Sequence, residues 1–154
     1  DGARVLVVGS GGVGCAIAAS FAAAQIGEIG LFDVNTVASE GLAGRLRKHY
    51  PALKVTTGSK DPAGYDVVVN ATPMGMNEGD ELPMDVSRIA PTTFVGEVVM
   101  KKEMTAFLAA AKARGCPIQI GTDMLFEQIP AYLEFFGFPT TTPDVLRAVA
   151  RLSY

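Results

Sequence analysis

The chain has 154 residues and is 49% hydrophobic, which suits one domain with a real core and argues against disorder. Its formal net charge is −3, and Lys and Arg are scattered instead of forming a stripe, so neither nucleic acid nor an anionic membrane is an expected partner. The longest apolar runs break well before the roughly 20 residues that cross a bilayer, no basic leader precedes an apolar segment, and Cys15 and Cys116 are expected as reduced thiols, so a cytoplasmic setting follows.

Taken in order, Val5-Leu6-Val7-Val8 reads as a strand that ends abruptly in Gly9-Ser10-Gly11-Gly12-Val13-Gly14. A helix over 13–25 follows, rich in small residues (Ala16, Ala18, Ala19, Ala22, Ala23, Ala24) that allow close packing on a sheet, and Gly27 ends it. A second strand over 29–32 delivers Asp33. The helix expected over 38–50 turns Leu42, Leu46 and Tyr50 inward and Arg45, Arg47 and Lys48 outward, and Pro51 stops it. A strand over 54–57 leads through the turn-rich 58–64 to an apolar strand over 66–70, and then to a loop over 71–82. A fifth strand over 93–99 is followed by a helix over 103–114, closed by Gly115 at the C′ position. The sixth strand covers 117–120. Gly121-Thr122-Asp123 opens a helix to Phe135, with Thr122 or Asp123 as its cap. The last helix takes Thr142 as N-cap and Pro143 at N1, with Val145, Leu146, Val149 and Leu152 as its apolar face.

Strand and helix alternate throughout, which implies an α/β fold: a three-layer αβα, Rossmann-type, doubly wound and mostly parallel six-stranded sheet. Within it Gly9, Gly11 and Gly14 fit G-x-G-x-x-G. The first glycine makes the turn, the second lets a pyrophosphate approach, and the third lets the helix pack on the strand. The N–H groups opening the helix would then face an anion. Asp33 ends the second strand near the roughly 20-residue offset at which a carboxylate grips the ribose of NAD. The loop over 71–82 lies at the carboxyl end of its strand, where open α/β sheets bind ligands. His49 reads as solvated surface, and neither a metal cluster nor a nucleophile–base pair can be assembled, so no catalytic residue and no metal is assigned.

With the glycine loop, Asn70-Ala71-Thr72-Pro73-Met74-Gly75-Met76 and Gly121-Thr122-Asp123-Met124-Leu125-Phe126-Glu127-Gln128 in place, the chain resembles the nucleotide-binding half of the shikimate and quinate dehydrogenase family. The resemblance implies hydride exchange between NAD or NADP and a ring hydroxyl or ketone of a cyclic hydroxy acid. It implies that Gly9, Ser10, Gly11, Gly12 and Val13 hold the pyrophosphate, and that Ala71, Thr72 and Pro73 pass along the adenosine side with Met76 packing there. Val98, Gly121, Met124 and Leu125 would line the nicotinamide, and Gln128 would reach the substrate.

Three departures matter. Many NADP-using members carry Asn-Arg-Thr where this chain has Asp33-Val34-Asn35, so NAD is expected in preference to NADP, with no nearby cation to offset a 2′-phosphate. Met100 stands where the family has Tyr. Asp123 stands where many members have Gly, either as a cap or as a carboxylate near the ring. The family's catalytic Lys and Asp belong to an N-terminal domain that precedes the glycine loop. This chain begins Asp1-Gly2-Ala3-Arg4, enters its first strand at once, and reads as a piece separated from that domain, inactive by itself. Another two-domain dehydrogenase of the methylene-tetrahydrofolate type, or a dinucleotide-sensing module without catalysis, are the competing readings.

Overall fold

The computed structural model describes residues 2–77 and 79–151. Six strands, β1 (Arg4–Val8), β2 (Glu28–Phe32), β3 (Lys54–Thr57), β4 (Val67–Asn70), β5 (Phe94–Glu97) and β6 (Ile118–Gln119), form one sheet in the order β3-β2-β1-β4-β5-β6. Every pairing is parallel, where the sequence implied mostly parallel. The helices are α1 (Gly12–Ala23), α2 (Thr36–His49), α3 (Ala106–Ala113), α4 (Gly121–Phe135) and α5 (Pro143–Val149). The chain winds outward from β1 to β3 and then returns to the other side of β1 with β4, so the order reverses between β1 and β4. Val8 registers with both Phe32 and Asn70, which brings Gly9, Asp33 and Ala71 to one carboxyl edge of the sheet. Ligands bind at such a reversal.

Alternate residues of the strands face two cores, as a sheet covered on both sides requires. Val5, Val7, Ile29 and Leu31 pack under Ala18 and Ala22 of α1 and Leu42, Ala43 and Leu46 of α2. On the opposite face Leu6, Val8, Val68 and Val95 pack against Phe107, Leu108 and Ala111 of α3 and against Met84, Val86 and Ile89. At the amino edge Arg4 joins three segments: its side chain bonds Glu28 (3.1 Å) and the Gly64 carbonyl (2.7 Å), and its N–H donates to Asp66 (2.8 Å).

Several element ends differ from the sequence reading, each for a local reason. Gln25 adopts φ +60°, so the backbone leaves α1 ahead of Gly27. α2 starts at Thr36 because the Asn35 side chain accepts from the Ala38 N–H (3.4 Å). α3 starts at Ala106 because Thr105 caps it through the Leu108 N–H. α4 starts at Gly121 with Ile120 in the cap position and no side-chain cap, so neither Thr122 nor Asp123 is the cap. α5 has its expected cap in Thr142, but it buries none of its residues, and Leu152 lies outside the described residues. Both thiols are free.

Candidate functional site

The loop between β1 and α1 is built by two kinds of glycine. Gly9 sits at φ +107°, and a Cβ there would lie 2.6 Å from the Ala71 carbonyl oxygen. A Cβ on Gly14 would lie 2.0 Å from the Gly9 carbonyl oxygen. These two glycines close the loop on itself and on the start of the 71–76 segment. Gly11 and Gly12 differ: a Cβ on either would meet nothing within 4 Å. Gly11 caps α1 without any side-chain bond, so the first-turn N–H groups open onto that space. Free amides, a helix start and room in front of them fit a diphosphate. The Ser10 hydroxyl is buried and has no partner among the described residues.

Asp33 ties the loop to the next strand. Its Oδ2 accepts from the Ser10 N–H (2.7 Å) and its Oδ1 from the Asn35 N–H (2.8 Å). Each oxygen retains a lone pair for a further donor. Val34 is 87% exposed beside it. One cation that the sequence reading did not count stands close by: the Lys60 ammonium lies 5.9 Å from the ring centre of Phe32, the residue before Asp33.

The 71–76 segment is shaped by Asn70, the last residue of β4 and fully buried. Asn70 Oδ1 accepts from the Thr72 N–H (3.1 Å) and the Thr72 hydroxyl (2.6 Å), and the Met74 N–H donates to Thr72 Oγ1 (3.1 Å). Asn70 Nδ2 donates to the Met74 carbonyl (3.1 Å) and to Glu97 Oε1 (2.8 Å). Glu97, at the end of β5, is also buried, and its other oxygen bonds the Thr105 hydroxyl. No cation faces it among the described residues, so burial pushes its carboxyl above the ordinary carboxylate range, opposed by the bonds from Thr105 and Asn70. Pro73 is exposed, while Ala71, Thr72 and Met76 are half-buried.

The far wall is α4. A Cβ on Gly121 would lie 2.2 Å from the Val99 carbonyl oxygen, so this glycine lets α4 start against the end of the 98–99 segment. A crevice of about 810 Å³ separates α1 from α4, and Gly12, Val13, Val98, Met124, Gln128 and Tyr132 all line it. The structure thus brings one end of the glycine loop together with three residues expected near the nicotinamide and substrate. Leu125 is half-buried but does not line that crevice. Among the described residues the Gln128 side chain meets only the Tyr132 hydroxyl, which donates to its Oε1 at a long 3.5 Å. Met100 is 47% exposed. Asp123 pairs with Arg147 of α5 (3.4 Å), which also reaches Glu127 (2.8 Å), so its carboxylate is spoken for from outside the crevice.

Comparison with known proteins gives this geometry its relatives. A model of the ThiF family matches residues 1–60. The chain is 32% identical over 145 residues to the shikimate dehydrogenase (NADP(+)) of Paracoccus denitrificans (strain Pd 1222), covering 93% of this chain and 51% of that one. Among solved structures it is similar to quinate dehydrogenase from Corynebacterium glutamicum in complex with NAD (TM-score 0.83, 30% identity, 96% of this chain and 54% of that one). Over most of its length the chain is thus similar to shikimate and quinate dehydrogenases. A likeness of equal depth links it to the ligand-free form of 5-ketofructose reductase of Gluconobacter sp. strain CHM43 (TM-score 0.84, 27% identity, 96% and 55% covered). Family members use NAD or NADP. The chain spans about half the length of the relatives it matches.

Sequence reasoning missed Asn70 and Glu97 as organisers of the site. A signal was present: Glu97 is an acidic residue inside an otherwise apolar strand, and such a residue is buried only with hydrogen-bond partners to hold it. Among the described residues no group of three or more His, Cys, Asp or Glu is placed to hold a metal, and no helix is long and apolar enough to cross a membrane.

Proposed function

We propose that this chain is the NAD-binding domain of a dehydrogenase that transfers hydride between the nicotinamide and a ring hydroxyl or ketone of a cyclic hydroxy acid. The reading rests on one observation: an uncapped helix start with open space at Gly11 and Gly12, beside a carboxylate, Asp33, whose oxygens each keep a free lone pair. The bound dinucleotide supplies the hydride chemistry. Gly9, Ser10, Gly11, Gly12 and Val13 hold its pyrophosphate, and Asp33, with Val34 and Asn35, takes the adenosine ribose. Ala71, Thr72, Pro73 and Met76 flank the adenosine side. Val98, Gly121, Met124 and Leu125 line the nicotinamide, and Gln128 donates its amide to the substrate. The general acid and base come from the half of the protein that this chain does not span, which packs across the exposed side of α4 and α5, and the protein works in the cytoplasm. NAD is preferred to NADP.

Calorimetric titration of the chain with both dinucleotides tests the reading, and NADP binding equal to or tighter than NAD would refute the cofactor assignment. Turnover assays on the complete protein, with shikimate, quinate and 5-ketofructose as candidates, test the substrate. A keto sugar is the second reading, favoured by the likeness to 5-ketofructose reductase and by Met100 where the family has a tyrosine hydroxyl.

A further inference from the structure

The strongest unassigned feature is the buried chain of polar groups that runs from the 71–76 segment to the start of α3. Its members are Thr72, Asn70, Glu97 and Thr105, drawn from the ends of β4 and β5 and from the cap of α3. An asparagine side chain has one accepting and one donating end, and nothing in its shape decides which way round it sits. Here both Asn70 ends have fixed jobs. The carbonyl end takes two bonds from Thr72, and the amide end serves Met74 and Glu97.

Two acceptors on the Nδ2 side set that orientation, and Glu97 is the one outside the turn itself. Without it, rotating the Asn70 amide loses only bonds made within the turn, the one from the Thr72 N–H and the one to the Met74 carbonyl. With it, rotation sets the Asn70 carbonyl against the Glu97 carboxyl oxygen, buried away from water, where repulsion between acceptors is strong. The Val98 N–H also donates to the Asn70 carbonyl oxygen of the main chain (3.1 Å), so the ends of β4 and β5 are held at one separation. Thr105 has a different job, since its hydroxyl also accepts from the Leu108 N–H and caps α3.

From this we infer that Glu97 is a positioning residue for the cofactor: it orients the Asn70 amide, and Asn70 in turn fixes the Thr72–Met74 turn against which the dinucleotide lies. The inference rests on the cofactor assignment proposed above. Glu97 borders the crevice but is buried, with one carboxyl oxygen engaged by Asn70 and the other by Thr105, so it acts through Asn70.

The test compares NAD affinity, by calorimetry on the full chain, for wild type, Glu97→Ala, Glu97→Gln and Thr105→Ala, with hydrogen exchange at the Thr72 and Met74 amides. Glu97→Ala should weaken NAD about tenfold and speed exchange at both amides while β1 and β2 stay protected. Glu97→Gln, which keeps an acceptor for Asn70 Nδ2, should bind NAD within about twofold of wild type. Thr105→Ala should lower Tm, having lost the α3 cap, yet leave the Kd within about twofold. A merely structural Glu97 would give the Thr105→Ala pattern instead. If Glu97→Ala does not fold, Glu97→Met, of similar size but with no acceptor for Asn70 Nδ2, removes the same contact and should give the same loss of about tenfold and the same fast amides. Wild type that binds NAD with a Glu97→Ala Kd unchanged overturns this inference alone. Wild type that binds no dinucleotide overturns the proposed function and this inference with it.

Discussion

The two flanks of the sheet are finished to different standards. On the β3-β2-β1 side, α1 and α2 bury Ala18, Ala22, Leu42, Ala43 and Leu46 against the strands, and the glycine loop is closed at Gly9 and Gly14 by backbone contacts that leave no room there for a methyl group. On the β5-β6 side, α4 buries only Gly121, Thr122 and Phe126, and α5 buries nothing, while Phe135, Phe136 and Phe138 are each more than 60% exposed. The first flank is a self-sufficient frame. The second holds apolar surface of the kind that soluble proteins reserve for a partner. The glycine-loop end of the crevice therefore sits on rigid ground, and the α4 end leans on something else.

Breaking the rigid flank should produce the largest effects. Gly14→Ala sets a methyl group 2.0 Å from the Gly9 carbonyl oxygen, backbone that cannot step aside, and should cost about 3 kcal/mol or more in urea unfolding. Gly12→Ala faces open space inside a helix and should be neutral or stabilising by up to about 1 kcal/mol, while weakening NAD binding. A Gly12→Ala variant that binds NAD as wild type does would show that the space before the loop is not where the diphosphate lies.

Cofactor choice comes next. Charge-assisted bonds worth about 1.5 to 3 kcal/mol imply a preference for NAD of roughly tenfold to a hundredfold. Because both Asp33 oxygens accept backbone N–H groups, Asp33→Asn would turn one amide end toward a donor and disturb the loop itself. Val34→Arg alone is the cleaner probe, and it should narrow the preference without loss of stability. Lys60→Ala should sharpen the preference by a few fold if the ammonium over Phe32 eases the approach of a 2′-phosphate. Competitive titration of the two dinucleotides reads both variants.

Glu97 gives a signed pH effect. Its folded-state carboxyl is raised, so the folded protein holds that proton at pH values where the unfolded chain has released it. Its contribution is fully present below the unfolded value, near 4.5, and is lost as pH rises through the folded value. Glu97→Gln should therefore gain stability relative to wild type on going from pH 4.5 to pH 8. Denaturation curves that stay parallel across that range would contradict it.

The smallest effect belongs to the unfinished flank. Arg147 is the main tie between α5 and α4, bonding Asp123 and Glu127 and lying 5.8 Å from the Phe126 ring centre, but all three polar side chains are partly exposed. Arg147→Ala should cost less than about 1 kcal/mol. Amides of α5 should exchange quickly in the isolated chain, and full protection there would show that the flank needs no partner.

How much of this was legible in the sequence follows the same division. The glycine loop, the order of elements and Asp33 could be read because each depends on local chemistry: β-branched runs, φ-permissive glycines and a carboxylate at a strand end. The cap of α4 could not, because Gly121 starts that helix by its fit against Val99, a contact from elsewhere in the chain. Asn70 and Glu97 are 27 positions apart and meet only once β4 and β5 pair. Lys60 likewise reaches Phe32 from a turn-rich segment whose course no periodicity encodes.

Arg4 carries one more consequence, for the order in which the molecule assembles. It bonds Glu28 across 24 positions and Asp66 across 62. Closing the longer loop costs only about 0.8 kcal/mol more entropy, too little to matter to the finished structure but enough to rank two encounters in time. The chain should thus close β1 on β2 before it admits β4. Measured through φ-values, truncating Glu28 should slow folding, whereas truncating Asp66 should chiefly speed unfolding.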